Sequence, residues 1–371
     1  MIDTYFITGA TGTLGKRIVV QLLEHTESNL ILLLHKQGRG TNSDKLLRDL
    51  FGINNSSYVN RVKLVQGDIT QPRLGLETEL YKDISACITH IIHSAASTRF
   101  DLSLEKARLI NVEGTKNTLG LFEHLKSPTH FAFLSTAYVA GKNTGTIMEQ
   151  PLSSAAGFVN TYEQSKYEAE QCVQKSEGVT SIYRLSTIIG DSTTGAVDHF
   201  TAPHQALRIM HIGLAAMVPG TPDYVVDLIP SDYASRAIIN LLIKPLTFGN
   251  TYHITAGADR SFTLQELLEQ SFKSLTRFDP EWARKGYPSP PIVSQQTFDL
   301  FLSSAEDAGN ILVHNVLGAM KHFAHQLTFP KEFDRTNIDA ALPSYHIDLP
   351  HISTYYPDVV KYCVSTKFGR T

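Results

Sequence analysis

A tyrosine and a lysine four residues apart, in Tyr162-Glu163-Gln164-Ser165-Lys166, form the most chemically suggestive pair in this sequence. On a helix that spacing sets both side chains on one face. A phenol titrates near ~10 in water and exchanges protons poorly at neutrality. A neighbouring ammonium favours the phenolate and brings that value toward the working range. The same ammonium can hold a ribose hydroxyl. Upstream, Ser135-Thr136-Ala137-Tyr138-Val139 closes an apolar run and offers a hydroxyl to a substrate oxygen. Each pattern alone is common, and a helical tyrosine is more often a packed aromatic. Their order after a glycine-rich turn is what gives them weight.

That turn lies in Thr4–Leu23. Thr4 to Thr8 reads as a buried strand, and Leu14, Ile18, Val19, Leu22 and Leu23 recur at helical spacing. Between them stand Gly9, Gly12 and Gly15. The first allows a sharp turn, the second a close approach to phosphate, and the third tight helix–strand packing. The helix N-terminus then offers free N–H groups to a pyrophosphate. Thr11, Thr13 and Leu14 complete the expected cofactor-binding turn. An ordinary strand–helix turn is the bland alternative, and the flanking strand and helix favour the dinucleotide.

The second strand, Asn29–Leu34, ends in His35, Lys36 and, after a glycine, Arg39. A pocket for NAD usually has a carboxylate there. Basic residues suit a 2′-phosphate, so NADP is expected, with NAD the lesser option. A third strand, 61–69, ends in Gly67-Asp68-Ile69. Asp68 can reach an adenine amino group with Ile69 beside the ring, or simply cap a turn. A fourth strand, 89–93, leads to Ala95 and Ala96, small enough to leave room for pyrophosphate and ribose.

Further on, a long helix is expected over 104–125, a strand over 130–135, a helix over 162–175 and a strand over 180–185. Such alternation argues for an α/β fold with a doubly wound parallel sheet. Right-handed crossovers gather the strand C-termini along one edge. A short strand over 225–230, a helix over 232–242, a strand over 252–255 and a Thr263-capped helix over 264–275 follow. Residues 1–255 are expected to form the nucleotide-binding domain and 256–371 a smaller, mostly helical substrate-covering lobe. Within that lobe 287–291 reads as a hinge, and Ile311, Leu312, Leu317, Met320, Phe323 and Leu327 form a packing stripe.

The bulk composition excludes other classes. The chain has 371 residues and a formal net charge of −3, which leaves no field for a nucleic acid. Cys87, Cys172 and Cys363 are too scattered for a disulfide framework or a zinc site, and a reduced cytoplasmic setting fits. The first strand is read close to the start of the sequence, so no signal peptide is expected. No apolar run approaches the ~20 residues of a membrane span. His322 and His325 have no third partner, so no metal is expected.

The chain resembles the extended short-chain dehydrogenase/reductases, and within them the thioester-reductase and fatty acyl-CoA reductase branch. The resemblance is carried by GATGTLG at 9–15, GDI at 67–69, HSAAS at 93–97, NVEGT at 111–115, STAYVAG at 135–141, YEQSK at 162–166 and YRLSTIIGDS at 183–192. VVDLIPSDYAS at 225–235 adds to it. The resemblance implies a Rossmann fold and a catalytic triad of Thr136, Tyr162 and Lys166. Ser135 is the less favoured hydroxyl, because counting back from Gly141 aligns Thr136. Asn111 would order a water near Lys166, or cap and pack. Two positions depart from the branch: His35 stands where Arg is usual, and Leu185 replaces the Pro after Arg184. The implied activity is NADPH-dependent reduction of an acyl thioester, on coenzyme A or a carrier protein, to an aldehyde or alcohol. The rivals are a sugar-nucleotide epimerase or dehydratase, a hydroxyl dehydrogenase on a lipid or polyketide, and a non-catalytic NADP sensor. A homodimer is allowed but not required.

Overall fold

The computed structural model describes residues 2–35, 47–48, 51–52, 56–307, 324–342 and 347–369. Lys36, Arg39, His322 and the stripe from Ile311 to Phe323 lie outside the described residues.

Seven strands form one sheet: β1 Thr4–Thr8, β2 Asn29–Leu34, β3 Val62–Gln66, β4 His90–His93, β5 His130–Thr136, β6 Thr180–Leu185 and β7 Thr251–Ile254. Their order is β7-β6-β5-β4-β1-β2-β3, and every pairing is parallel. The chain runs outward from β1 to β3, then returns to β4 on the other side of β1. This reversal opens a crevice beyond the strand C-termini, where open α/β sheets bind ligands. Both faces of the sheet are covered, so strands such as Leu30–Leu34 are buried on consecutive residues instead of alternating.

Helices pack both faces. α1 (Thr13–His25) buries Gly15, Ile18, Val19, Leu22 and Leu23 in a core shared with Tyr233, Ala237 and Ile238 of a later helix. On the other face Phe6, Phe131 and Phe133 meet Leu119, Phe122, Ala169 and Val173. A helix was expected without interruption over 104–125. Instead Leu104–Arg108 passes through one π-helical turn, Leu109–Glu113, into Gly114–Glu123. The wide turn lets the Asn111 amide reach two other segments, a use of π-turns that recurs at functional sites.

A second core lies apart from the first. It joins Ile189, Leu207, Met210 and Leu228 to Leu275, Trp282, Tyr355, Val359 and Cys363. Thr263 begins its longest described helix, Leu264–Phe278, with a reciprocal cap: its hydroxyl accepts from Glu266 N (3.2 Å) and the Glu266 carboxylate accepts from Thr263 N (2.8 Å). The expected strand at 225–230 is instead two short pairings, Val225–Val226 with Phe262–Thr263 and Leu228–Ile229 with Thr187–Ile188. Buried Asp227 divides them by turning its carboxylate to the N–H groups of Ala256 and Gly257 (2.8 and 2.9 Å). Ile338, Leu342, Ile347 and Leu349, late in the chain, belong to the first core. No described helix is long and apolar enough to cross a membrane.

Candidate active site

A cleft of about 1170 Å³ runs along the C-terminal edge of the sheet. Gly9, Thr11, Gly12, Thr13, Leu14 and Gly15 form one end of its lining, with His35, Asp68, Ile69, Ala95 and Ala96 beside them. Ser135, Thr136, Tyr162 and Lys166 line the other end. Of the described site residues expected from sequence, only Asn111 lies off the cleft.

The glycine turn is built for close approach. Gly9 has φ +71°, and a Cβ there would lie 2.6 Å from Ala95 N. A Cβ at Gly15 would lie 2.2 Å from the Gly9 carbonyl oxygen. Gly12 caps α1 without a side chain, so no side-chain oxygen occupies the first-turn N–H groups. Among the described residues the buried Ser135 and Ser231 hydroxyls, both on the cleft wall, have no hydrogen-bond partner. A bare helix N-terminus, a cradle closed to any Cβ and unpaired hydroxyls farther along fit a dinucleotide laid across the sheet edge.

At the end of the cleft beside His35 the Asp68 side chain caps a turn. Its Oδ1 accepts from Thr70 N (2.9 Å) and Thr70 Oγ1 (2.8 Å). Its Oδ2 lies 3.7 Å from His35 Nδ1. Ile69 is held by Asn117, whose Nδ2 donates to its carbonyl (2.8 Å).

At the chemical end α2 (Thr161–Gln174) places Tyr162 and Lys166 on one face, as the spacing predicts. The ammonium does not tune the phenol as the sequence suggested. Burial pushes the Tyr162 hydroxyl up to about 12, opposed by its hydrogen bond with Thr136 and assisted by the Glu163 charge. Lys166 Nζ instead donates to the Leu134 carbonyl (2.8 Å) and sits 4.0 Å over the Phe133 ring. Burial lowers Lys166 to about 7, so it carries only part of a charge at neutrality. Desolvation, which residue spacing does not record, outweighs the pairwise effect.

Asn111 is a tie. Its Nδ2 donates to Ser97 O (3.1 Å) and Ser165 Oγ (2.9 Å), and its Oδ1 accepts from Ser97 N (2.8 Å). With both amide hydrogens used, it fastens the Ser97 loop to α2. Behind it lies His93, the first residue of the HSAAS stretch, whose role no spacing in the sequence reveals. Thr115 donates to Asn111 O (2.7 Å), so it accepts from His93 Nε2–H (3.1 Å). His93 Nδ1 then accepts from Thr8 Oγ1 (2.7 Å), and Thr8 in turn accepts from Ala95 N (3.2 Å). Burial pushes His93 down to about 3 and holds it neutral, which this relay requires. The relay spans β1, β4 and the helix after it and sets the floor beneath Gly9.

Lys166 yields a pH-dependent expectation. Unfolded, a lysine keeps its proton to about 10.4. Folded, Lys166 loses it at about 7. Between those values the unfolded chain binds more protons, so stability rises with pH. Lys331, lowered to about 8 by burial, adds the same sign. Lys166→Met removes one contribution. At pH 7 the apoprotein should melt about 2 °C or more above the parent, and the gap should shrink toward pH 10. Calorimetry across pH checks this, and a variant that melts lower at pH 7 contradicts it.

Residues 7–238 match the family described as Male sterility protein, an NAD-binding domain. The chain is 27% identical over 310 residues to fatty acyl-CoA reductase wat of Drosophila melanogaster, covering 72% of this chain and 60% of that protein. It is 28% identical over 258 residues to a linear gramicidin synthase polypeptide of Brevibacillus parabrevis, covering 67% of this chain and 5% of that protein. It thus spans less than two thirds of either relative's length. The crystal structure of the terminal R domain from the myxalamid PKS-NRPS biosynthetic pathway superposes with a TM-score of 0.80 at 24% identity, covering 99% of this chain and 92% of that one, a likeness of fold. With more than half its length matched, and a glycine turn and Tyr–Lys helix facing one cleft, the chain belongs to the Male sterility protein family of extended short-chain dehydrogenase/reductases.

Proposed function

We propose that this protein reduces an acyl thioester with NADPH, releasing a thiol and an aldehyde. The observation that carries the chemistry is the Thr136–Tyr162 hydroxyl pair at the inner end of the cleft, with Lys166 one turn away. The thioester substrate is favoured by the relatives named for fatty acyl-CoA and peptide synthase chemistry.

Bound NADPH supplies the hydride to the carbonyl carbon. The chain's residues handle the charge that this creates. Tyr162, kept protonated by burial, donates a hydrogen bond and then its proton to the carbonyl oxygen. Thr136 donates a second hydrogen bond. With its value pushed up to about 12 the phenol holds its proton at neutrality, so the proton is in place when the carbonyl oxygen gains charge. Collapse of the thiohemiacetal expels the thiol and leaves the aldehyde; a second cycle would give the alcohol. Ser135, one residue before Thr136, faces the same cleft. Phe100, 5.6 Å from the Tyr162 ring, and Val197 and Phe200 offer apolar walls to an acyl chain. His35 on the cleft rim, with Lys36 and Arg39 adjoining it in sequence, would serve a 2′-phosphate.

The test is turnover of NADPH and NADH with a panel of acyl-CoAs, sugar nucleotides and ketones. NADPH oxidation with stoichiometric thiol release from an acyl-CoA is expected. Turnover of only a ketone or a sugar nucleotide would replace the thioester reading.

A further inference from the structure

We propose that the stretch from Gln326 to Phe333 is a brace that sets Thr136 and Tyr162 at their working separation, with Glu163 and Gln326 as its positioning residues. The proposal rests on the assignment of Tyr162 as proton donor.

Thr136 ends β5, and Tyr162 lies in the first turn of α2, on the far side of a long connecting loop. The C-terminal stretch grips both. On the Tyr162 side, Gln326 Nε2 donates to Glu163 Oε1, across 163 positions of sequence. On the Thr136 side, Lys331 Nζ donates to the Gly141 carbonyl, and Lys331–Phe333 pairs in parallel with Gly145–Ile147. Gly145 N donates to Pro330 O (2.9 Å) and Asp334 N to Ile147 O (2.9 Å), closing both ends of that pairing. One short segment therefore ties the chain leaving Thr136 to the turn carrying Tyr162.

Capping does not account for this arrangement. Glu163 is the third helical residue of α2, and its carboxylate already accepts from Val159 N (2.9 Å) and Asn160 Nδ2 (3.3 Å). Asn160 Oδ1 accepts from Glu163 N (3.0 Å), so the helix start is satisfied from within. Such a cap works at a solvated helix end, yet Glu163 is 1% exposed and Gln326 3%. Burying a carboxylate is costly unless it gains partners. The added partner is the one residue of the group that also lines the cleft.

The buried charge also acts on the phenol. Among the described residues, Tyr162, Tyr138 from the turn after β5, Tyr224 and Lys331 are titratable groups that feel Glu163. The three phenols are disfavoured as phenolates by it, and Lys331 offsets it. Burial is the main reason that Tyr162 keeps its proton, and the Glu163 charge adds to it.

The test compares Gln326→Leu, Glu163→Gln and the exchange Glu163→Gln/Gln326→Glu, using NADPH and the best acyl-CoA of the panel. Each single variant should lose about tenfold or more in kcat, the scale of a slight misplacement, with KM for NADPH changed less than about twofold. The exchange restores a donor–acceptor pair and should recover most of that loss, which a purely structural defect would not. Glu163→Gln should also move the alkaline limb of kcat to lower pH. Single variants with parental kcat overturn the brace. So does an exchange, folded by circular dichroism, that is no better than the worse single variant. If Glu163→Gln does not fold, Gln326→Leu and the exchange decide the matter. Failure of the underlying assignment shows separately, as a Tyr162→Phe protein that turns over normally.

Discussion

Tyr162→Phe should lower kcat by about 100-fold or more while the protein folds and binds NADPH as before, the usual scale for losing a positioned acid. The ring keeps its packing against Phe100, 5.6 Å away, and the buried part of the side chain is unchanged. What goes is the hydroxyl that pairs with Thr136. The Thr136 oxygen still accepts from Tyr138 N (3.3 Å), so its rotamer should hold. Thr136→Ala should cost less, since one donor to the oxyanion remains. Steady-state kinetics with NADPH titrations on both variants separates binding from chemistry. Near-normal turnover in Tyr162→Phe would remove this residue from the mechanism, and with it the chief reason for reading the cleft as a reductase site.

The largest expected effect on stability comes from Arg184→Met. The Arg184 guanidinium is fully buried and donates to both oxygens of Glu170, at 2.8–3.2 Å. Its Nη1 also faces the Met148 carbonyl (3.4 Å) and His253 Nε2 (3.3 Å). His253 Nδ1–H is spent on the Asp334 carbonyl (2.8 Å), so Nε2 is free to accept; burial, then the nearby guanidinium, pushes the ring down to about 3 and holds it neutral. Methionine fills much of the volume but strands the Glu170 carboxylate in the core. Breaking such a pair costs about 3–5 kcal/mol, against a typical total of roughly 5–15 kcal/mol. Urea denaturation should show a much lower midpoint. Arg184→Met/Glu170→Leu should regain most of it, because an apolar pair replaces the ion pair. A single variant within about 1 kcal/mol of the parent contradicts this account. The double variant tests a functional link too. Glu170 follows Lys166 by one helical turn and is the charge that opposes its desolvation. Without it Lys166 should hold its proton less well, and NADPH binding should weaken.

The parallel sheet was legible because its strands are short, continuous apolar runs, and four of them begin where the pattern begins, at Thr4, Asn29, His130 and Thr180. The cleft ends were legible for a related reason. Gly15 must clear the nearby Gly9 carbonyl, and Tyr162 and Lys166 share a helix face, and local spacing records both needs. The behaviour of the site was less legible. Whether an ammonium lowers a phenol depends on how much water both lose, and no spacing reports that for Tyr162 and Lys166. His93 hides within a strand because its partners, Thr8 and Thr115, come from other elements. Gln326 and Lys331 carry no motif at all. Their meaning lies in contacts made 163 and 190 positions away. The π-turn at Asn111 has no periodicity signal, since it displaces the helix by a single residue.

Those long-range contacts bear on the order in which the molecule is made. A ribosome releases about 5–20 residues per second, and the leading part of a chain begins to fold first. Six of the seven sheet strands have emerged once Leu185 is out, and the sheet closes only when Ile254 follows. Thr136, Tyr162 and Lys166 are present long before Gln326 and Lys331 arrive. The nascent protein therefore passes through an interval of several seconds in which a nucleotide cleft can form while Glu163 lacks its Gln326 partner and the Gly145–Ile147 strand is unpaired. Contacts of such separation also slow folding, because the loop they close must be ordered before they form. Reductive chemistry would thus follow dinucleotide binding, beginning only after Gln326 and Lys331 have been added and have made their contacts.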